Sequence, residues 1–312
     1  MKIVDLFELV RLSRRLQKRP CPICRSEAGR PLLRYDRYLL PSNIKECERC
    51  GLIYCANMLS PPELERFYTS LYSALMDFKA TEAQIATYQS VARERVTKIS
   101  ARLGHLDQLL EIGAGYGYFL AAARQAGARH LYGIEPSTSG VRHAQTSLHL
   151  GDQIVEAPFL EASPPPFAPQ VTVLFHVLEH LVDPGAALDR LAAWIPEGAS
   201  LVIEVPDTAA DWSSMGLINF HISHASYFRA ETLTDLLHRH GFAPFEVERE
   251  ADGIYPGNLR VYARRDSSFS EIRPFLAPPS LASHVADLVK PWSLKNGYPR
   301  AVLRLLRHLA RG

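Results

Sequence analysis

The sequence has no apolar run that approaches the ~18–20 residues needed to cross a bilayer, although 47% of its residues are apolar. It also has no internal repeat and no low-complexity tract. Charged residues make up 22% of the chain, and the formal net charge is only +2. This composition is typical of a folded globular protein and excludes a fibrous or largely disordered chain.

The N-terminus lacks the features of a secretory signal. Asp5 and Glu8 interrupt its apolar pattern, and no small-residue cleavage site follows. We therefore predict a cytoplasmic protein. Its 312 residues are sufficient for one α/β domain of ordinary size with a small additional module.

Positive charge is concentrated at the two ends of the sequence. Residues 1–20 carry six Lys and Arg against two acids, and residues 290–312 carry six with no acid. The stretch between them is therefore net negative. A nucleic-acid enzyme usually gathers positive charge around its active site, so this distribution argues against a nucleic-acid partner. It predicts either that the ends pack on the main domain or that they contact an anionic membrane surface.

The apolar pattern divides the chain into five segments. Residues 1–20 are predicted to form an amphipathic basic helix, 21–59 a small module, 60–105 a helical linker or lid, and 266–312 a basic helical tail. Within 106–265, short apolar runs alternate with helical segments, which indicates a mostly parallel sheet wrapped by helices, an α/β fold. The predicted strands are 107–112, 130–134, 153–157, 170–175, 200–205, 242–249 and 258–264.

All five cysteines lie in the second segment. Cys21 and Cys24 form one Cys-x-x-Cys pair, and Cys47 and Cys50 form a second pair twenty-two residues later. Two such pairs match a zinc ribbon, in which each pair sits on a tight turn and four thiolates surround the metal. We therefore predict a zinc-ribbon-like module with a structural Zn²⁺. Disulfide bonds are the competing interpretation, and the reducing environment of the predicted cytoplasmic location disfavours them. Cys55 is predicted to be a small buried residue.

A strand-to-helix turn contains three alternating glycines, Gly113, Gly115 and Gly117. Glycines at such a turn let a ligand approach the backbone, and the helix start offers unpaired N–H groups. The spacing differs from the G-x-G-x-x-G of dinucleotide-binding sites, which argues against a nicotinamide-dependent dehydrogenase. Glu111 ends the strand before the turn, and Glu135 ends the next strand, where a carboxylate can accept both ribose hydroxyls of an adenosine. The pattern predicts a site of adenosine size.

These motifs, together with VLFHVLEHLVDP at residues 173–184, resemble those of class I S-adenosylmethionine-dependent methyltransferases over residues 80–265. The resemblance implies a Rossmann-like seven-stranded methyltransferase sheet with helices on both faces. It also implies that the glycine loop lies beside the methionine part of S-adenosylmethionine and that Glu135 binds the ribose. The cofactor-binding residues predicted in this way are Glu111, Gly113, Gly115, Gly117, Glu135, Ala157, Phe175 and His176.

Histidines are the candidate proton acceptors for methyl transfer, because histidine titrates near neutral pH. His221 and His224 lie in the segment NFHISHASYF after the fifth strand, at the carboxyl edge of the sheet, where ligands of such folds bind. His180 follows the fourth strand. We predict His224, then His221, then His180 as the catalytic base, with a structural hydrogen-bonding role as the alternative for each.

A narrower resemblance, over residues 21–265, is to the zinc-containing sugar C-methyltransferases of deoxysugar pathways. In that group a glutamate commonly precedes the histidine that corresponds to His224, and a further C-terminal domain follows. Here that position is Ser223, and 47 residues follow Arg265. Without the carboxylate, a hydroxyl proton is easier to remove than a carbon-bound one. We therefore predict in-line methyl transfer to oxygen of a sugar, glycan or other small molecule.

Three other functions remain open at this point. Carbon methylation of a nucleotide deoxysugar follows from the narrower resemblance. Methylation of an RNA base is a second alternative, because zinc modules also precede such cores. The segment FHVLEH after the fourth strand differs from the N/D-P-P-Y/F segment that often serves base methylation. A non-catalytic scaffold is the third, and the intact glycine loop and Glu135 argue against it.

Overall fold

The computed structural model of the chain describes residues 11–37, 40–67, 81–210, 216–250, 257–269 and 274–290. Contacts within the chain group its residues into two units. One unit, which we call the cysteine unit, comprises Met1–Lys79, Thr208–Arg229 and Pro274–Gly312. The other, the sheet unit, comprises Ala80–Asp207 and Ala230–Arg273.

The described elements are numbered in chain order. Strands β1 to β13 span Gln17–Lys18, Gly29–Leu33, Ile44–Cys47, Ile53–Cys55, Asn57–Met58, Leu109–Ile112, Leu131–Glu135, Ile154–Glu156, Val171–Phe175, Ser200–Pro206, Ser226–Tyr227, Phe242–Glu250 and Asn258–Arg265. Helices α1 to α7 span Pro61–Arg66, Glu82–Leu103, Tyr118–Gln125, Thr138–Thr146, Pro184–Trp194, Ala230–Arg239 and Ala282–Val289.

The sheet unit is built on a seven-stranded sheet with the order β12-β13-β10-β9-β6-β7-β8. Strands β8, β7, β6, β9 and β10 run parallel. Strand β13 pairs antiparallel with both β10 and β12, so β13 runs opposite to the other six strands of this sheet. This confirms the predicted fold class, and the observed strands begin and end within two residues of the predicted bounds. Strands that are apolar and buried along their length, such as β6, β9 and most of β10, are typical of a sheet that helices cover on both faces.

The order of the strands reverses beside β6. From β6 the chain proceeds to β7 and β8 on one side, and then returns to β9 and β10 on the other side. Right-handed crossovers in opposite directions place α3 and α4 on one face and α5 on the opposite face. Ile112 pairs with both Ile134 and Leu174, so the loops that leave β6, β7 and β9 begin side by side. Ligands of doubly wound sheets bind at such a reversal point.

Helix α2 belongs to the sheet unit. Its first turn is fixed by a capping box at Thr81, and it ends at Gly104, which has φ +82°. Ala92, Val96 and Ile99 recur at helical spacing, are buried, and join the core of the sheet. The predicted helical linker is therefore, over this range, a helix of the sheet unit.

The cysteine unit contains a four-stranded antiparallel sheet with the order β11-β4-β3-β2. Strand β11 pairs Ser226 with Tyr54 and Tyr227 with Ile53. The segment Thr208–Arg229, predicted as an inner part of one continuous domain, is thus grouped with the cysteine module. This long-range pairing depends on partners some 170 residues apart in sequence, which local periodicity does not reveal.

The prediction that an N-terminal helix continues to residue 20 is wrong beyond residue 13. Residues 11–13 are helical, but β1 follows and pairs antiparallel with β5. The guanidinium of Arg19 donates to the carbonyl of Cys55 at 2.7 Å and also to that of Ala225. These tertiary hydrogen bonds outweigh the helical periodicity of the segment. Residues 1–10 lie outside the described part.

Helix α7 lies in the predicted basic tail and is part of the cysteine unit. Val285 and Leu288 are buried, and the backbone N–H of Leu281 donates to Glu46 at 2.8 Å. Residues 291–312 lie outside the described residues, so the predicted membrane contact of the two ends stays a prediction. Among the described helices, none has both the length and the apolar character of a membrane span.

Candidate functional site

The glycine loop between β6 and α3 has a left-handed backbone at each glycine. The φ angles are +72° at Gly113, +54° at Gly115 and +77° at Gly117. The N–H of Gly113 donates to the carbonyl of Ile134 at 2.8 Å, and that of Gly117 donates to Ala114 at 2.8 Å. Because L side chains rarely adopt these angles, glycine at the three positions lets the loop take this course without backbone strain.

The three glycines meet different surroundings. A Cβ atom on Gly113 would lie 2.3 Å from Val177, and one on Gly117 would lie 2.7 Å from Leu150. A Cβ atom on Gly115 would meet nothing within 4 Å. Gly113 and Gly117 thus allow neighbouring elements to pack against the loop, whereas Gly115 leaves open space that a ligand can enter.

Glu135, at the end of β7, is buried beside this loop. One carboxylate oxygen accepts from the N–H of Gly115 at 2.7 Å, and the other accepts from the N–H of Ser137 at 2.8 Å. Burial raises the pKa of Glu135, and the two N–H donors oppose that rise. Each carboxylate oxygen can accept a further hydrogen bond. This arrangement meets the requirement for binding the two hydroxyls of a ribose.

Glu111, at the end of β6, is 4% exposed, and its Oε2 has no hydrogen-bond partner in the described part of the chain. Burial raises the pKa of Glu111 well above its usual value, and nearby Arg95 opposes the rise. A buried carboxyl oxygen without a donor is unfavourable. An ammonium group would remove that cost, so Glu111, Gly115 and Glu135 together fit the charged and ribose parts of S-adenosylmethionine.

The other predicted cofactor residues lie at the same edge of the sheet. Ala157 follows β8, and its N–H donates to the carbonyl of Glu135 at 3.1 Å. Phe175 ends β9, and its buried ring packs on Phe119 with a centroid distance of 4.8 Å. The guanidinium of Arg95 lies 4.3 Å from the centre of the Phe175 ring. The whole predicted cofactor set is therefore gathered at the carboxyl ends of β6, β7, β8 and β9.

His176 is held between two acids, directly after β9. Its Nδ1 lies 3.4 Å from Glu179, its Nε2 lies 3.3 Å from Glu204, and its φ is +55°. Burial alone would lower the pKa of His176, but the two carboxylates outweigh burial and raise it to about 9. The ring is thus protonated at neutral pH, which makes His176 a hydrogen-bond donor and not a base.

The protonated His176 ring is expected to make stability depend on pH. Because its folded pKa of about 9 exceeds the unfolded value of 6.5, its contribution is complete below pH 6.5 and is lost as the pH rises through 9. We expect His176→Asn, which tolerates the left-handed backbone, to lose stability of about 2–3 kcal/mol relative to wild type at pH 6 and much less at pH 9.5. Urea unfolding at both pH values measures this, and a pH-independent difference would contradict it.

A buried charge network lies beside His176 and has little signal in the sequence. Glu204, in β10, is 1% exposed and accepts from Arg260 at 2.9 Å and from Asn258 at 3.3 Å; it also pairs with Arg95. Burial opposes ionisation, but adjacent His176 and Arg95 hold the pKa of Glu204 below its usual range. The one available signal was a single acid inside the apolar run LVIEVP.

Two further glycines near the loop were also missed. A Cβ atom on Gly140 would lie 2.6 Å from the carbonyl oxygen of Gly115, and one on Gly133 would lie 2.6 Å from Leu120. Glycine at these positions lets α4 and α3 lie close to the loop and the sheet. Since neither glycine is part of a recognisable spacing, only the three-dimensional packing identifies them.

The histidines predicted as bases fall in different units. His180 ends a short 3₁₀ turn, Leu178–His180, in the sheet unit. His221 and His224 belong to the cysteine unit, where their ring centroids are 3.8 Å apart. Nδ1 of His221 is hydrogen-bonded to the hydroxyl of Ser223, and Nδ1 of His224 lies 3.1 Å from the carbonyl of Asn219.

The loop that carries His221 and His224 is fixed by its neighbours. The hydroxyl of Tyr227 donates to the carbonyl of His221 and accepts from its N–H, both at 3.2 Å. The thiol of Cys55 donates to the carbonyl of His224 at 3.2 Å. Cys55 is fully buried, as predicted, and burial raises its pKa to about 12. The loop is therefore tied to β4 of the same unit.

The remaining four cysteines converge. Cys21, Cys24, Cys47 and Cys50 are buried, carry free thiols, and have sulfur atoms that all lie within 4.8 Å of one another. The Sγ atoms are 3.5 Å apart for Cys21 and Cys50, and 3.3 Å apart for Cys24 and Cys47. A tetrahedral metal at about 2.3 Å from each sulfur requires sulfur atoms roughly 3.8 Å apart. The donor set and its spacing fit Zn²⁺, and a disulfide is not formed.

Both cysteine pairs lie on similar turns. Arg25 follows the first pair with φ +59°, and Gly51 follows the second with φ +74°. Their N–H groups donate to the carbonyls of Cys21 at 3.0 Å and Cys47 at 2.9 Å. A hydrogen bond with Cys47 is the main cause that raises the pKa of Cys21 to about 12, and repulsion between the crowded sulfur groups adds to it. A bound cation would remove that repulsion and allow all of the thiols to ionise.

Comparison with known proteins identifies the sheet unit. Residues 85–247 match the family model described as a methyltransferase domain. The magnesium protoporphyrin IX methyltransferase of Synechocystis PCC 6803 with bound SAH is a similar structure. The match covers 66% of this chain and 100% of that protein, with 16% identity and a TM-score of 0.52. The match with the 1,6-didemethyltoxoflavin-N1-methyltransferase of Burkholderia thailandensis covers 69% of this chain and 96% of that protein, with 19% identity and a TM-score of 0.51. A search among curated proteins found no match.

The family match spans more than half of the chain and includes the glycine loop, Glu111, Glu135 and the loop after β9. The two solved structures share the fold of the sheet unit, and both hold S-adenosylhomocysteine. The residues gathered at the carboxyl edge of the sheet fit the same cofactor. The chain therefore belongs to the methyltransferase-domain family and is an S-adenosylmethionine-dependent methyltransferase.

Proposed function

We propose that the enzyme transfers a methyl group to a hydroxyl of a saccharide or another small molecule, with a histidine as base. The observation that supports this proposal is the set of partners at Nδ1 of the two loop histidines. In His221 this atom is hydrogen-bonded to the hydroxyl of Ser223, and in His224 it lies beside the carbonyl of Asn219. A carboxylate at Nδ1 would strengthen the base for a carbon-bound proton. A hydroxyl proton, which is already polarised, needs less assistance.

The sheet unit supplies the cofactor-binding groups. Glu111 would take the ammonium group, Glu135 the ribose hydroxyls, and Gly115 would leave room for the nucleoside next to the backbone. When bound, S-adenosylmethionine supplies a methyl group on a sulfonium that is already a good leaving group. The protein's main task is then to orient the acceptor and to remove its proton.

His224 is the proposed base. A neutral imidazole whose Nδ1–H donates to the Asn219 carbonyl carries its lone pair on Nε2. That nitrogen can take the proton of an acceptor hydroxyl. His221, joined to Ser223, and His180 are the second and third candidates. A small-molecule acceptor is also what the names of the two similar structures state for those proteins.

The four clustered cysteines are proposed to hold a structural Zn²⁺. Four sulfur ligands close the tetrahedral shell and leave no position for water or substrate. The metal would then stabilise the fold of the cysteine unit. It takes no part in the methyl transfer that we propose.

The function is tested with purified enzyme and S-adenosylmethionine labelled in the methyl group. The acceptors offered are nucleotide sugars, methyl glycosides, phenols and transfer RNA. We expect label on the oxygen of a hydroxylated small molecule, located by NMR of the product. We further expect His224→Gln to lower kcat by about 100-fold or more, the usual contribution of a general base, with cofactor affinity unchanged.

His130→Gln is the matched control, because His130 is exposed and precedes β7 at the amino end of the sheet. It should retain full activity. Label on carbon would indicate the sugar C-methylation alternative, and label on an RNA base the second alternative. Either result would contradict the proposal. Cofactor binding without transfer to any of these acceptors would favour the non-catalytic alternative.

A further inference from the structure

Glu179 is a buried acid that the proposed function does not use. It lies in the 3₁₀ turn Leu178–His180 and is 1% exposed. Neither of its carboxylate oxygens has a hydrogen-bond partner in the described part of the chain. His176 pairs with it through Nδ1 at 3.4 Å, and a ring nitrogen of His180 lies within 4.8 Å. The carboxylate therefore has a countercharge, but among the described residues no donor is placed to make a good hydrogen bond with it.

A buried carboxylate without donors is rare in native proteins. Ionised carboxylates are strongly hydrated in water, and their burial is unfavourable unless hydrogen bonds replace that hydration. The cationic His176 balances the charge of Glu179 without satisfying its lone pairs. Such an acid is expected to have partners that the folded chain alone does not provide.

Glu204 provides an internal comparison. It is also 1% exposed and also faces His176, but it accepts hydrogen bonds from Arg260 and Asn258 and pairs with Arg95. The two acids flank one imidazolium, and the protein satisfies only one of them. Glu179 and Glu204 are therefore similar in burial and charge, and they differ in the number of hydrogen-bond donors that contact them.

The turn that carries Glu179 lies beside the glycine loop. Ile112 and Leu174 pair in the sheet, so the loops after β6 and β9 start next to each other. Val177 occupies the space in front of Gly113, only 2.3 Å from where a Cβ would be. The unsatisfied acid therefore belongs to the reversal point of the sheet, where the cofactor-binding residues are gathered.

We propose that the carboxylate of Glu179 binds the methyl acceptor by accepting hydrogen bonds from two neighbouring hydroxyl groups, a pair that a saccharide provides. This assignment rests on the proposed function. Two adjacent hydroxyls match the two oxygens of one carboxylate, and neutral donors add no charge to a site where His176 already balances the acid. His176 is a positioning residue in this arrangement, because it holds the carboxylate and does not contact the acceptor.

The first experiment compares thermal unfolding of Glu179→Gln and Glu204→Gln, both in the full chain without ligand. If Glu179 is reserved for a ligand, its neutralisation should change Tm by no more than about 2 °C, because the lost attraction to His176 is offset by the removal of a buried charge that lacks donors. Glu204→Gln, which also loses the bonds to Arg260 and Asn258, should lower Tm by about 4 °C or more. An equal fall for both variants would show that Glu179 is structural and would overturn the proposal.

The second experiment measures binding and transfer. We expect Glu179→Gln to bind S-adenosylhomocysteine within about twofold of wild type while kcat/KM for a methyl glycoside falls by about 100-fold. Wild type should also prefer methyl hexosides over their monodeoxy analogues, and the variant should lose that preference. Weakened binding of S-adenosylhomocysteine would assign Glu179 to the cofactor, and unchanged transfer would exclude any role in acceptor binding.

Two outcomes separate this proposal from the proposed function. If wild type methylates none of the glycosides, saccharide O-methylation fails, and the melting comparison alone then decides whether Glu179 is reserved for a ligand. If added Mg²⁺ raises the Tm of wild type but not that of Glu179→Gln, the carboxylate binds a cation. That result would overturn the assignment to hydroxyl groups.

Discussion

Gly115→Arg is expected to abolish binding of S-adenosylmethionine and S-adenosylhomocysteine, with affinity at least about 100-fold weaker and methyl transfer undetectable. A side chain on Gly115 enters the open space in front of the glycine loop, since nothing lies within 4 Å of its Cβ position. It would also strain a backbone with φ +54° and disturb the 2.7 Å hydrogen bond to Glu135. Isothermal titration calorimetry with S-adenosylhomocysteine measures the loss.

Gly198→Arg is the matched control for this substitution. Gly198 also has a left-handed backbone, with φ +79°, and also has nothing within 4 Å of a Cβ. It precedes β10 and so lies at the amino end of the sheet, opposite the glycine loop. The two variants carry similar backbone strain, and only Gly115→Arg should lose the cofactor. Full affinity in Gly115→Arg would remove the basis for placing the cofactor at this loop.

The sheet could be predicted from the sequence because its signal is local. Strands β6, β7, β9 and β10 are short apolar runs bounded by turn residues, and buried parallel strands require that composition. The cofactor residues were predictable for the same reason. A glycine loop after one strand and an acid after the next are spaced by the geometry of the fold, so their separation in sequence is informative.

Features that depend on distant partners were not predictable. Arg19 has helical periodicity around it, yet hydrogen bonds to the carbonyls of Cys55 and Ala225 hold it in an extended segment. Glu204 and Arg260 meet because β10 and β13 pair at that register, which a single sequence does not indicate. Likewise, the joining of residues 208–229 to the cysteine unit depends on the pairing of β11 with β4.

Cys47→Ala is expected to cause the largest loss of stability. Zinc binding by four thiolates is worth about 10–16 kcal/mol in small zinc modules, which is as large as the total stability of a typical domain, about 5–15 kcal/mol. With one ligand absent, the crowded sulfur atoms of Cys21, Cys24 and Cys50 lose the closed shell that we propose. We expect zinc content to fall from one ion per chain in wild type to near zero, with the cysteine unit unfolded. Elemental analysis, circular dichroism and limited proteolysis measure these changes.

Cys55→Ala is the control that distinguishes the loss of a metal ligand from the loss of a buried thiol. Cys55 is as buried as Cys47, but it contacts the carbonyl of His224 and lies outside the four-cysteine cluster. Its replacement should cost only about 1–2 kcal/mol and leave the zinc content unchanged. Cys47→Ala should also be cleaved by protease within 21–59, while the sheet unit retains its affinity for S-adenosylhomocysteine if that unit folds independently. Equal stability of the two variants, or a wild-type protein that binds no metal, would show that packing of the thiols and not a metal ion holds this module together.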